Sequence, residues 1–230
     1  MEVTMHVVDV AGHALAVVER DGTHDPATGR ALTGSWLWDS SLVLASHLAR
    51  LRVDELRGAT VLELGAGSTG LPGIAAVACL GAARCVLTDV AGPLLPGLRA
   101  NAAANGLDAS RADVRELRWG DRLELEPEEE ERVVGVVLMS DVFYDPEDMP
   151  AMAATLRGMW RDGVTVGWAA SEVRDGVREC MDVLRDHGVD VAEVHRVVQP
   201  LLRDPDQSAV FAVYRLSLRQ QETTSTHQLF

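Results

Sequence analysis

The stretch TVLELGAGSTGLPGIAAVACLGAARCVLTD (residues 60–89) decides the fold. Its first five residues read as a short apolar strand, and Gly65, Gly67 and Gly70 follow at once. Residues 71–80 are apolar, with Pro72 near the start and Gly81 just past the end, which is the punctuation of a helix. Residues 84–88 form a second apolar strand that closes on Asp89. Strand, tight turn, helix and strand in that order make a parallel βαβ unit, because parallel partners need a crossover between them.

Outward from this unit the alternation continues. Residues 93–104 read as a helix, 112–117 as a strand, and VVGVVLM (133–139) as a strand covered on both faces, since it lacks a polar alternate. A helix follows with Met149, Met152, Ala153, Leu156, Met159 and Trp160 on one side, then a strand over 164–170 and a helix over 173–187. Two strands, 189–198 and 208–218, close the chain with little between them and predict one antiparallel edge strand. Upstream, Asp39-Ser40-Ser41 opens a helix, residues 21–34 are turn formers, and residues 5–20 alternate around Gly12-His13 as a hairpin does. The expected class is α/β: a Rossmann-like, mostly parallel sheet with helices on both faces and an N-terminal β-hairpin extension.

A length of 230 residues suits one domain, and 47% apolar residues suffice for a core. The formal charge is −14, and every basic residue is Arg. Such a balance argues against nucleic acid, whose binding depends on basic side chains that release counterions. It suits solubility or a basic protein partner. Asp121–Arg132 holds seven acids and two arginines, readable as a solvated face or as an acidic rim for such a partner. Three cysteines in apolar runs read as reduced core residues, and the seven histidines lack metal-ligand spacing, so no metal is expected. No apolar run approaches the ~20 residues a membrane helix needs. Glu2, His6 and Asp9 stand where a signal peptide would be apolar, so a cytoplasmic location is expected, with the nucleus also open; a monomer is also expected.

The glycine loop has two readings. Gly65, Gly67 and Gly70 fit the G-x-G-x-x-G spacing of dinucleotide sites, and Asp89 stands where an acid accepts hydrogen bonds from ribose hydroxyls. A nicotinamide-dinucleotide oxidoreductase is therefore one candidate. Glu63, two places before the first glycine, weighs against it: a carboxylate there repels a pyrophosphate but tolerates the cationic amino-acid end of S-adenosylmethionine. The absence of Lys also closes the Tyr-x-x-x-Lys route of many such oxidoreductases.

Five motifs in order favour the second cofactor. They are Trp36-Leu-Trp38-Asp-Ser-Ser, ELGAG (63–67), Thr88-Asp89, Leu117-Arg-Trp119-Gly120 and Ser140-Asp141-Val-Phe-Tyr144. Through them the chain, from about residue 34 to 218, resembles the family 16 seven-strand S-adenosylmethionine-dependent methyltransferases, the methyltransferase-like protein-lysine group. The resemblance implies a hairpin and loop over 1–34, a methyltransferase domain over 35–218 and a flexible tail over 219–230. It implies that Trp38, Glu63, Gly65, Ala66, Gly67, Asp89, Trp119 and Ser140 bind the cofactor, with Asp89 on the ribose, Trp119 beside the adenine and Trp38 at the methionine end. Asp141 and Tyr144 are the implied catalytic pair, Asp141 aiming the acceptor amine and Tyr144 walling its channel. Phe143 is expected in the core, Asp145 as a helix cap, and Trp36, Trp160 and Trp168 as packing. The family loop reads G-x-G-x-G, whereas Ser68-Thr69 here separates Gly67 from Gly70, so no cofactor contact is carried onto Gly70. Ser171-Glu172-Val173-Arg174 also departs, being less basic than in several relatives. The expected function is N-methylation of a lysine side chain in a protein; a non-catalytic S-adenosylmethionine-binding module is the other alternative.

Overall fold

The structure is a computed structural model that describes residues 3–20, 23–24, 29, 32–51, 53–90, 92–123 and 133–219. The chain opens with two antiparallel strands, β1 (Val3–Val10) and β2 (His13–Arg20), which pair Val10 with His13 around a two-residue turn. Ala11 and Gly12 both carry positive φ there, the twist that suits a tight hairpin, so the turn lies one residue earlier than the sequence suggested. After α1 (Asp39–Leu48) and the single turn α2 (Val53–Leu56) comes the unit that decided the fold: β3 (Thr60–Leu64), α3 (Leu71–Ala78) and β4 (Arg84–Asp89). Next stand α4 (Leu95–Ala104), β5 (Ala112–Glu116), β6 (Val134–Ser140), α5 (Met149–Met159), β7 (Val166–Glu172), α6 (Asp175–Asp186), β8 (Val189–Pro200) and β9 (Ser208–Leu218).

The main sheet has seven strands in the order β5-β4-β3-β6-β7-β9-β8. Strands β3 to β7 pair in parallel, while β9 runs antiparallel to both β7 and β8. The antiparallel character expected at the closing edge is thus carried by β9, one place in from the rim. The chain builds β4 and β5 to one side of β3, then returns to place β6 on its other side. That reversal between β3 and β6 is where a doubly wound sheet leaves a crevice beyond its strand ends.

Period-2 alternation sorts the strands onto two cores. Val61, Val136 and Leu138 meet α1, α3 and α4 on one face. Leu62, Leu64, Val137 and Met139 meet α5 and α6 on the other. The hairpin adds a third cluster, in which Val10, Leu15 and Val17 pack with Leu37, Leu71 and Ala75. Phe143, Trp160 and Trp168 are buried as expected. Cys85 and Cys180 are buried and Cys79 half-buried, all as free thiols. Among the described residues no helix is long and apolar enough to cross a membrane. The tail beyond Arg219 and the acidic run over 124–132 lie outside the described residues.

Asn101 of α4 fastens the hairpin to the sheet. Its buried amide accepts from Val18 N–H at 2.7 Å and donates to Val18 C=O at 3.0 Å and Ser68 C=O at 2.7 Å. Asn101→Ala strips three backbone groups of partners, the buried Ser68 C=O and the part-buried N–H and C=O of Val18, at roughly 1 kcal/mol each. We expect urea unfolding to report a loss of about 3 kcal/mol.

Candidate functional site

The glycine loop leaves β3 with Gly65 and Gly67 at φ +67° and +61°, a left-handed path that side chains resist. Space makes the same demand. A Cβ on Gly67 would lie 2.3 Å from the carbonyl oxygen of Gly34, and one on Gly65 would lie 2.7 Å from Val142 Cγ1 and 3.4 Å from Trp119 Cζ2. Gly34 in turn accepts the Ser68 N–H at 2.7 Å, so the segment before α1 is laid against the loop backbone to backbone. Gly70 caps α3 in the left-handed region and does not line the cavity.

The cavity beyond the ends of β3, β4 and β6 measures about 550 Å³, within the usual range for a small-molecule site. Gly65, Ala66 and Gly67 form one wall. Asp89, at the end of β4, accepts the Gly67 N–H on Oδ2 at 2.9 Å. Trp119 follows β5, its ring 6.4 Å from that of Tyr144, and Trp38 stands at the start of α1 with its indole N–H donated to Thr33 C=O at 3.1 Å. Ser140 ends β6, and Asp141 comes next. Nine of the expected site residues line this one cavity: Trp38, Gly65, Ala66, Gly67, Asp89, Trp119, Ser140, Asp141 and Tyr144.

Glu63 departs from the expectation. It lies beneath the loop, 1% exposed, and accepts the Gly73 N–H in the first turn of α3 at 2.8 Å. It does not line the cavity, because on β3 it shares the face of Val61, which points toward α3. Burial pushes its carboxyl up to about 8 against the pull of the Gly73 N–H, and the nearby Asp89 charge adds to the rise.

Asp141 has a left-handed φ of +55°, which costs a non-glycine residue on the order of 1 kcal/mol. Its N–H donates to Ala170 C=O at 3.0 Å, and its carboxylate accepts from Ser40 Oγ at 3.2 Å and Arg174 Nη2 at 3.3 Å. Burial raises its carboxyl above the ordinary range despite the Arg174 charge and the Ser40 hydroxyl, which both lower it. Asp145 caps the turn that follows, as expected, by accepting the Glu147 N–H at 3.0 Å. Tyr144 is 60% exposed at the mouth of the cavity.

Gly34, Trp36 and Arg174 are among the lining residues that the sequence reading did not assign to the site. Gly34 carries no motif and acts through a contact 33 positions away. Trp36, expected as packing alone, lines the cavity with Arg203 4.8 Å above its ring. Arg174 was visible only as part of a divergent stretch, and its pairing with Asp141 depends on the adjacency of β6 and β7.

The fold and cavity together define a methyltransferase-type α/β protein. A ribosomal-protein methylase of Lactobacillus delbrueckii subsp. bulgaricus superposes with a TM-score of 0.55 at 16% identity, covering 94% of this chain and 100% of that one. A magnesium protoporphyrin IX methyltransferase of Synechocystis, crystallised with bound S-adenosylhomocysteine, gives 0.53 at 14% identity, over 78% and 83%. A family model described as lysine methyltransferase matches residues 26–184, and the chain belongs to that family. Relatives include a protein-lysine N-methyltransferase of Chaetomium thermophilum, 33% identical over 61% of this chain and 43% of the relative. A protein N-lysine methyltransferase of Mus musculus is 41% identical over 47% and 50%. A histone-arginine methyltransferase of the same species is 34% identical over 61% and 54%. The matches span about half the length of these relatives.

Glu63 gives the fold a pH dependence with a definite sign. A buried acid with a raised pKa binds its proton more tightly when folded, so stability falls as pH rises from about 4.5 to about 8. The loss is on the order of 5 kcal/mol across that window, at 1.36 per unit. Glu63→Gln cannot ionise; chemical denaturation at pH 5, 6, 7 and 8 is expected to give a flatter stability profile than the wild type.

Proposed function

We propose that this chain is an S-adenosylmethionine-dependent N-methyltransferase whose acceptor is a lysine side chain of a protein. The observation that carries the reading is convergence: a backbone-tight glycine loop, the Asp89 carboxylate, two tryptophans and the half-buried Asp141 meet at one crevice. Membership of the lysine methyltransferase family supports it. The residues fit the cofactor. Gly65 and Gly67 keep open a cradle that a Cβ would fill, and in this reading Asp89, which lines the cavity at the end of β4, accepts from two ribose hydroxyls. Trp119 flanks the adenine, Trp38 closes the methionine end, and Ala66 and Ser140 complete the wall. Bound there, S-adenosylmethionine supplies an electrophilic sulfonium methyl for in-line transfer.

The chain's own work is positioning and the exclusion of water. A lysine nucleophile must be neutral, and deprotonating it at pH 7 costs roughly 4–5 kcal/mol from a pKa of ~10.4. An ionised carboxylate favours the ammonium form, so Asp141 aims the amine rather than taking its proton. Tyr144 walls the channel at the mouth and packs its ring against the acceptor's alkyl stem. A net charge of −14 suits a basic protein partner. An arginine acceptor is the second reading, favoured by the histone-arginine relative; the residue that takes up label separates the two.

Two variants test the division of labour. Asp89→Ala removes two charge-assisted hydrogen bonds and is expected to weaken S-adenosylmethionine binding about 100-fold or more by calorimetry, with the circular dichroism spectrum kept. Asp141→Asn is expected to keep that affinity within threefold while losing at least 100-fold in methyl transfer to an undermethylated lysate. Binding of NAD in place of S-adenosylmethionine contradicts the reading.

A further inference from the structure

Asp141 does not meet the cavity as a bare charge. Among the described residues, Arg174 is the cation paired with it, Nη2 to Oδ1 at 3.3 Å, and Arg174 lines the same cavity. The two halves of the pair differ in freedom. The Asp141 side chain is 11% exposed and fixed by its backbone bond to Ala170 and by Ser40. The Arg174 side chain is 42% exposed, on the short link between β7 and α6, with Glu172 3.9 Å from its other nitrogen.

We propose that Arg174 is a specificity-determining residue: it holds the cation position on Asp141, so the acceptor pocket turns away an ammonium group and admits a neutral amine. The inference rests on the acceptor reading given under Proposed function. Its physics is simple. At pH 7 nearly all free lysine side chains are ammonium, the form whose lone pair is tied up by a proton. A bare carboxylate would collect that form and hold it unreactive. With Arg174 in place, an entering ammonium meets a like charge beside a carboxylate already matched, whereas a neutral amine loses nothing. The proton passes to solvent before entry, and its cost appears as the small neutral fraction of free amine at pH 7. The remaining groups facing the pair are Asp39 behind Asp141, Glu172 beside Arg174, and Asp89, Asp148, Arg118 and Tyr144 on the cavity wall. All are common to proteins that differ at 174 alone, so their effects cancel in the comparison.

The probe is n-butylamine, a lysine side chain without its backbone, titrated into protein saturated with S-adenosylhomocysteine and followed by tryptophan fluorescence at pH 7 and pH 10. Wild type is expected to bind it at least fivefold more tightly at pH 10. Arg174→Gln is expected to bind at least fivefold more tightly than wild type at pH 7 and to lose most of the preference for high pH. Arg174→Lys, which keeps the cation, should match wild type at pH 7. Equal affinities and equal pH dependence in wild type and Arg174→Gln overturn the inference while leaving the acceptor reading in place. Failure of both proteins to bind butylamine at either pH, with S-adenosylhomocysteine held, overturns the acceptor reading and the inference together.

Discussion

The close approach of Gly67 to Gly34 sets the geometry of everything around it. Two backbone segments touch where no side chain fits: a Cβ on Gly67 would fall 2.3 Å from the Gly34 carbonyl, and that carbonyl takes the Ser68 N–H. The contact fixes the glycine loop on one side and the entry to α1 on the other. Trp38 and Asp39 follow within five residues of Gly34, and Ser40 then reaches Asp141. The hairpin reinforces the same joint through Asn101, which holds Val18 and Ser68 at once. Buried Glu19 of β2 adds to it by accepting the Leu37 N–H and pairing with Arg203, whose guanidinium covers Trp36. The N-terminal extension is therefore a brace for the crevice.

Around that joint the electrostatics divide into two depths. Glu63 is buried below the loop, holds a helix N-terminus and has its carboxyl raised by burial. Asp89 and Asp141 stand at the level of the cavity, one at the end of β4 and the other just past β6. The strand order brings them to opposite sides of β3, and the cleft between them is the crevice left by the reversal of the sheet. The left-handed φ at Asp141 fits the same logic, since local strain at a strand end aims a carboxylate into a crevice that relaxed backbone would miss.

Much of this was legible in the chain because the informative residues follow strand ends directly. Gly65, Asp89 and Asp141 each sit within a residue or two of an apolar run whose identity as a strand is plain, and Trp119 follows the alternating strand before it, so their convergence follows from a parallel sheet. Glu63 was misread for a local reason: being two places from a glycine says nothing about which face of β3 it occupies. The alternation that puts it with Val61, facing α3, was available in the sequence. Gly34, Trp36, Arg174 and Asn101 were out of reach, because their partners lie 33 to 167 positions away and no local pattern marks them. The turn of the hairpin moved by one residue because Ala11 takes a positive φ that its identity does not advertise.

A crystal structure of the chain with S-adenosylhomocysteine tests the central claim most directly. The account predicts the adenosine between Gly65–Gly67 and Trp119, both ribose hydroxyls on Asp89, and the sulfur turned toward Asp141 and Tyr144. Ligand density elsewhere, or an adenosine seated in the crevice with its ribose away from Asp89, would contradict it.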